Sequence, residues 1–309
     1  MSMPTEQTPT RLSLGIGITL IANIFFATVS ALVWGFKGRF PTIQIVFLQN
    51  LVSLLCVLPL ALRKGPARLK TAIFPMHLLR DVMGVASYFL FFLSIRFLNL
   101  VDASTLYYMA PFFIPMVWWI WMKETIPKNV WWSIIIGFVG VLFILRPSQE
   151  IFQLGFVFGL FGGITSAIAL CTVRVLNLKK EPMSRTLFYY FTVGLILTLP
   201  FAWASWVQPV GREWFFCISI GVATAVGQML LTIAYRYGTA SYLSPLSYSC
   251  LIYANLVSWL IYRQPPSLRS FLGATFIVVG GTLTYVLKKK PATLSQTFES
   301  PQPKEKPPL

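Results

Sequence analysis

LSLGIGITLIANIFFATVSALVW, residues 12–34, is echoed by QLGFVFGLFGGITSAIALCTVR, residues 153–174. Leu14, Gly15, Leu20, Ala27 and Val33 return as Leu154, Gly155, Leu160, Ala167 and Val173, each 140 positions later. Working outward, Arg96, Tyr108, Trp119 and Gly140 return at the same displacement as Arg236, Tyr248, Trp259 and Gly280. Phe47, Leu54, Leu58, Pro59 and Ala61 return one residue further on, as Phe188, Leu195, Leu199, Pro200 and Ala202. Single identities are common by chance in apolar sequence, but a register held over most of a chain is not. The chain therefore reads as two related halves. With an odd number of membrane spans in each, the halves would lie in opposite orientations around a shared central site.

Composition identifies the solvent. Of 309 residues, 56% are hydrophobic and 11% charged, and the mean hydropathy is +0.70, far outside the range of water-soluble domains. A span needs about 20 mostly apolar residues. Ten such segments fit, at 12–34, 41–62, 75–96, 101–122, 129–146, 153–174, 185–206, 214–236, 239–262 and 268–287. This predicts an all-α integral membrane protein of ten transmembrane helices arranged as two inverted five-helix repeats. The parts are a tail at 1–11, a first repeat at 12–146, a second at 147–287 and a disordered Pro-, Lys- and Ser-rich tail at 288–309. The first apolar stretch is too long for a secretory signal and no clear cleavage site follows it, so it is expected to be retained.

The net charge of +16 invites a nucleic-acid reading, but its placement argues for topology instead. With the N-terminus in the cytoplasm, 17 Lys and Arg fall on the inner side, 7 fall on the outer side and Arg80 lies within a span. That is the positive-inside bias, and it places both termini in the cytoplasm. Expected partners are membrane lipids and a small organic solute, with a homodimer left open and no nucleic acid. Trp118, Trp119, Trp121, Trp131 and Trp132 crowd one set of span ends, and Trp34, Trp203, Trp206 and Trp214 the other, as interfacial belts require.

Enzyme chemistry has little to work with. Cys56, Cys171, Cys217 and Cys250 are isolated in apolar segments, and His77 is the only histidine. Neither metal-ligand spacing nor a nucleophile–base set can be assembled. No metal, cofactor or catalytic residue is expected.

Polar residues inside spans carry the remaining information, because they are costly in hydrocarbon and face protein or a water-filled cavity. Span one presents Thr19, Asn23 and Ser30 near one face; span three presents Arg80, Gly84 and Tyr88. In span six the Gly155, Gly159 and Gly163 ladder permits close helix contact, with Thr165 and Ser166 after it. Span eight aligns Gly221, Thr224, Gln228 and Thr232; span nine aligns Ser244, Tyr248 and Asn255. Interhelical hydrogen bonding alone explains any one of these as well as a ligand does. Asp81, next to Arg80 in sequence, is expected to point elsewhere on the helix and to pair with it poorly. Pro59, Pro111, Pro115, Pro200 and Pro245 mark places where helices bend.

Ala110-Pro111 through WWIWMKE (118–124), then Gly137 and Gly140, closes the first half; SWLIYRQ (258–264), then Gly273, Gly280 and Gly281, closes the second. This pattern resembles the drug/metabolite transporter superfamily in its EamA-type branch over about residues 12–287. In that family a Glu usually closes span nine as Glu124 closes span four, and Gln264 stands there instead. The resemblance implies a central cavity lined mainly by spans one, three, four, six, eight and nine. It also implies exchange, uptake or efflux of small organic solutes in a bacterial cytoplasmic membrane. HLLRD (77–81) is similar to a segment of S-adenosylmethionine uptake members, which makes that solute one candidate beside amino acids and other zwitterions.

The expected substrate-binding residues are Asn23, Arg80, Tyr88, Tyr107, Tyr108, Ser166, Gln228, Tyr248 and Asn255. Arg80 would attract a carboxylate or phosphate, the tyrosines would stack or hydrogen-bond, and the amides would orient the solute. Scarcity of deep carboxylates favours exchange or facilitated diffusion over proton symport. A nucleotide-sugar or drug efflux carrier of the same superfamily, and a non-transporting scaffold or receptor, are the competing readings.

Overall fold

A computed structural model describes residues 9–63, 65, 69–122, 154–237 and 243–261, with scattered positions between 132 and 140 and between 263 and 279. Both termini and most of expected spans five and ten lie outside the described residues. The helices are α1 (Pro9–Gly35), α2 (Thr42–Leu62), α3 (Phe74–Phe97), α4 (Leu100–Tyr107), α5 (Ala110–Met122), α6 (Leu154–Leu178), α7 (Met183–Ala204) and α8 (Arg212–Tyr237). A 3₁₀ turn, Ser244–Tyr248, then leads into α9 (Ser249–Leu260). Among the described residues there is no strand, and seven helical segments are long and apolar enough to cross a membrane. Backbone groups have no water to bond in a bilayer core, so helices that satisfy them internally are the stable solution.

The expected fourth span is not one helix. It stops at Tyr107 and restarts at Ala110. Pro111 removes the donor that would bond the Tyr107 carbonyl, its ring crowds that carbonyl, and it disfavours helical geometry at Ala110. The ninth span has the equivalent interruption, a 3₁₀ turn ending at Tyr248 with Pro245 in its first turn. Tyr108 and Tyr248 thus occupy matching breaks. By contrast, Pro59 and Pro200 are accommodated inside α2 and α7.

Helix packing repeats the relation between the halves. α1 packs on α8 and α6 on α3; α1 also meets α9 as α6 meets α5; α2 meets α8 as α7 meets α3. Exchanging the halves turns each contact into its mate and turns the α2–α7 contact into itself. The glycine ladder sits in one of these interfaces. A Cβ on Gly155 would lie 2.6 Å from Phe97 Cβ, on Gly159 2.9 Å from Ser94 Oγ, and on Gly163 2.9 Å from the Leu106 carbonyl. Ser94 Oγ donates to the Gly155 carbonyl at 2.7 Å across the same contact. Ile24, Leu55, Phe201, Trp203 and Phe215 project outward, exposing 48%, 58%, 65%, 79% and 69% of their surface. Apolar exposure on that scale suits lipid rather than water.

Candidate functional site

The two breaks and the exchange-related helices enclose a cavity of about 90 Å³. Its wall takes Asn23 from α1; Arg80, Gly84, Ser87 and Tyr88 from α3; and Tyr107, Tyr108 and Pro111 from the α4–α5 break. Ser166 of α6, Tyr190 of α7, Gln228, Thr232 and Tyr235 of α8 and Ser247 of the 3₁₀ turn complete the polar lining. Seven of the nine expected site residues therefore converge: Asn23, Arg80, Tyr88, Tyr107, Tyr108, Ser166 and Gln228. Tyr248 does not line the cavity; it is buried in the core beside it, 3% exposed, and its hydroxyl has no hydrogen-bond partner among the described residues. Asn255 falls in α9, but its side chain lies outside the described residues.

Arg80 dominates the electrostatics. It is 4% exposed, and its guanidinium carbon lies 3.8 Å from the centre of the Tyr190 ring. The ring can sit there because Gly84, one turn along α3, has no side chain: a Cβ would stand 2.8 Å from Tyr190 Cε2. Arg80 Nη2 reaches Gln228 Oε1 at 3.5 Å, and Gln228 Nε2 reaches the Tyr88 hydroxyl at 3.4 Å. These are loose contacts, which leave the guanidinium and the amide free to favour another acceptor.

The expectation for Asp81 is corrected. Its Oδ1 lies 3.4 Å from Arg80 Nη1, with the carboxylate fully buried. Adjacent helical residues point roughly 100° apart, but the long arginine stem curls back across that angle. A buried charge needs a counter-charge, and no nearer carboxylate is available among the described residues.

Asn23 is more committed than expected. Its Nδ2 donates to the Leu246 carbonyl at 2.7 Å and to Ser249 Oγ at 2.8 Å, holding α1 against the second break. Only its carbonyl oxygen remains for a ligand. Around the first break, Ser87 Oγ and the Tyr107 hydroxyl share a hydrogen bond of 3.0 Å. Tyr107 stacks on Phe91, ring centres 4.3 Å apart, and meets Tyr108 edge-on at 5.2 Å. The result is an aromatic wall in the cavity that Arg80 also lines.

Sequence reading missed Tyr190, Ser87, Tyr235 and Ser247. Span seven offered no polar face, and Tyr189 beside Tyr190 gave no sign of which ring points inward. The available signal was Gly84, a missing side chain opposite a large one, and that pairing exists only in three dimensions.

The α6–α7 loop carries a second polar cluster, where Glu181 meets Thr71 and the first turns of α3 and α7. Glu181 accepts from Arg185 Nη1 at 2.7 Å and from Thr71 Oγ1 at 3.0 Å, and lies 3.4 Å from His77 Nε2. Burial pushes its carboxyl up, but the hydrogen bonds from Arg185 and Thr71 outweigh that and hold it below the usual range. Among the described residues no three His, Cys, Asp or Glu side chains are placed to hold a metal ion.

Comparison with known proteins agrees with this architecture. The pseudopaline exporter CntI of Pseudomonas aeruginosa is 28% identical over 86% of this chain and 93% of its own length. An S-adenosylmethionine uptake transporter of Rickettsia bellii is 24% identical over 91% of this chain and 96% of its own. A crystal structure at 16% identity shares the fold, with a TM-score of 0.66 over 90% of this chain and 98% of that one. The sequence profile of the EamA-like transporter family matches twice, at residues 13–146 and again at 153–286. Covered in both halves by that profile, this integral membrane chain belongs to the EamA-like transporter family, a family of small-metabolite transporters within the drug/metabolite superfamily.

Proposed function

We propose that the chain is a secondary transporter that carries a small, anion-bearing organic metabolite by alternating access. The observation that supports this best is a nearly buried arginine, backed by a tyrosine ring, lining a cavity at the junction of two exchange-related halves. The full architecture in this reading is ten helices in two inverted repeats. Both termini face the cytoplasm, in a bacterial inner membrane. Arg80 engages a carboxylate or phosphate, Gln228 and the free carbonyl of Asn23 orient the solute, and Tyr88, Tyr107 and Tyr108 pack its apolar portion. Ser166 supplies a hydroxyl, while Tyr248 supports the second break from the core beside the cavity.

Size argues for motion. A cavity of about 90 Å³ is well below the roughly 300–1,000 Å³ that encloses a typical organic ligand. The state described is contracted, and binding requires the halves to separate on one side. Rocking about the shared breaks supplies that opening, because a helix interrupted at a break absorbs rotation there without disturbing the rest of the span. Such a cycle is reversible, in keeping with one relative named as an exporter and another as an uptake transporter. Amino-acid-like and S-adenosylmethionine-like solutes fit, moving by exchange or facilitated diffusion.

The test is counterflow of a panel of labelled metabolites into proteoliposomes. The full-length protein should carry at least one anion-bearing solute, and Arg80→Gln should weaken its uptake about 10-fold or more, the scale of one lost charge-assisted hydrogen bond. Folded Tyr108→Ala and Gln228→Ala proteins that transport as well as wild type would refute the site. Absence of flux for every solute would refute the function.

A further inference from the structure

A second, larger cavity lies away from the first. It holds about 490 Å³ between the ends of α2, α7 and α8, and its wall includes Arg63, Arg236, Leu60, Leu69, Met183 and Ser184. Both arginines are exposed, and neither takes part in an ion pair among the described residues. Glu181, next in sequence to this wall, is already held by Arg185 and Thr71.

Arg63 caps the C-terminus of α2 and Arg236 lies in the last turn of α8, where a cation complements the helix dipole. That accounts for a basic residue at each end. It does not account for their convergence on one cavity together with the start of a third helix. α7 begins there with Pro182 at its N-cap and no side-chain cap hydrogen bond, and the start of a helix presents N–H groups that have no partner within the helix. Two unpaired guanidinium forks and a helix start make a receptor for a tetrahedral oxyanion. Leu60, Leu69 and Met183 add an apolar wall beside it.

We infer that this cavity binds the phosphate group of an anionic phospholipid at the inner face of the membrane. Basic pockets between span ends on the cytoplasmic side are suited to such headgroups. The membrane side rests on the orientation proposed above, whereas the site itself does not depend on any transport reading. The headgroup would tie together three helix ends that lead to the central cavity: Tyr235, which lines it, directly precedes Arg236, and α7 carries Tyr190. Anionic lipid thereby stabilises the contracted state.

Melting temperature tests this without measuring transport. Delipidated full-length protein in neutral detergent is given phosphatidylglycerol, phosphatidylcholine or inorganic phosphate, and unfolding is followed by tryptophan fluorescence. Phosphatidylglycerol should raise the midpoint well above phosphatidylcholine. The Arg63→Gln/Arg236→Gln variant should lose most of that difference, and Arg63→Lys/Arg236→Lys should keep part of it. The exposed pair Lys70→Gln/Lys179→Gln should keep nearly all. An arginine-dependent shift with inorganic phosphate alone supports the same oxyanion site with a soluble source. Equal shifts in the two lipids overturn the inference, as does a full shift in the Arg63→Gln/Arg236→Gln protein. Equal losses in the arginine and lysine variants overturn it too, since they would mean diffuse charge rather than a site.

Discussion

Removing both charges of the Arg80–Asp81 pair should cost far less than the two single removals added together. Arg80 is 4% exposed and Asp81 0%, and Nη1 and Oδ1 are 3.4 Å apart. At that separation the attraction is about 4–5 kcal/mol with an effective dielectric near 20. Asp81→Asn leaves a buried guanidinium whose remaining partners are the Gln228 carbonyl at 3.5 Å and the Tyr190 ring. Both already act in the wild type, so neither offsets the loss. Breaking a buried pair from one side costs about 3–5 kcal/mol. The 3.4 Å contact is looser than a good charge-assisted bond of about 2.7–2.9 Å, which places the expectation near about 3 kcal/mol. Arg80→Gln should cost a similar amount, because it strands the carboxylate, whose Oδ2 has no partner among the described residues. The double variant removes both charges and should cost less than the two singles together by several kcal/mol. The assay is a double-mutant cycle in one detergent–lipid mixture, with unfolding monitored by fluorescence. Losses that add to within about 0.5 kcal/mol, as for independent sites, would show that the pair is not coupled and would refute the reasoning.

Two further outcomes follow from the same geometry. Gly163→Ala places a Cβ 2.9 Å from the Leu106 carbonyl and 3.2 Å from that of Tyr107, backbone atoms that cannot swing aside. Thermal unfolding should show a loss of about 1–3 kcal/mol, whereas Gly17→Ala, with nothing within 4 Å of its Cβ, should be neutral or stabilising; equal behaviour would disprove the close approach. Because the Glu181 carboxyl is held below its ordinary range, its stabilisation is present above about pH 4.3 and lost as pH falls through the lower folded value. Stability measured against pH should therefore fall less steeply at acid pH in Glu181→Gln than in wild type, and parallel curves would contradict the assignment.

Much of the candidate site was legible because the membrane makes buried polarity expensive. Arg80, Tyr88, Ser166 and Gln228 were found by asking which polar side chains sit deep in apolar spans, and all four line the cavity. That rule does not distinguish a residue facing a ligand from one bonded across helices. Asn23 illustrates the difficulty, since its amide donors are spent on Leu246 and Ser249. Tyr248 shows it from the other side, being equivalent to Tyr108 by register yet absent from the cavity wall that Tyr108 lines. An echo in sequence preserves backbone position, but side-chain environment depends on neighbours that differ between the halves. At the Arg80 position the second half has Ile220.

The sequence by itself determined the solvent and the two-part plan, and it marked five prolines, of which Pro111 and Pro245 stand at breaks while Pro59, Pro115 and Pro200 lie inside helices. Apolar length, charge placement and proline chemistry act locally and need no tertiary contacts. Only the folded arrangement decided which faces meet. It brought Tyr190 over Arg80 through the gap left by Gly84, 2.8 Å from where a Cβ would be. It also bent Arg80 back to Asp81 and joined Arg63 and Arg236 in one cavity. These pairings come from side chains on different helices, or from a long side chain reaching a buried counter-charge beside it. Residues distant in sequence carry no record of such encounters until the helices pack.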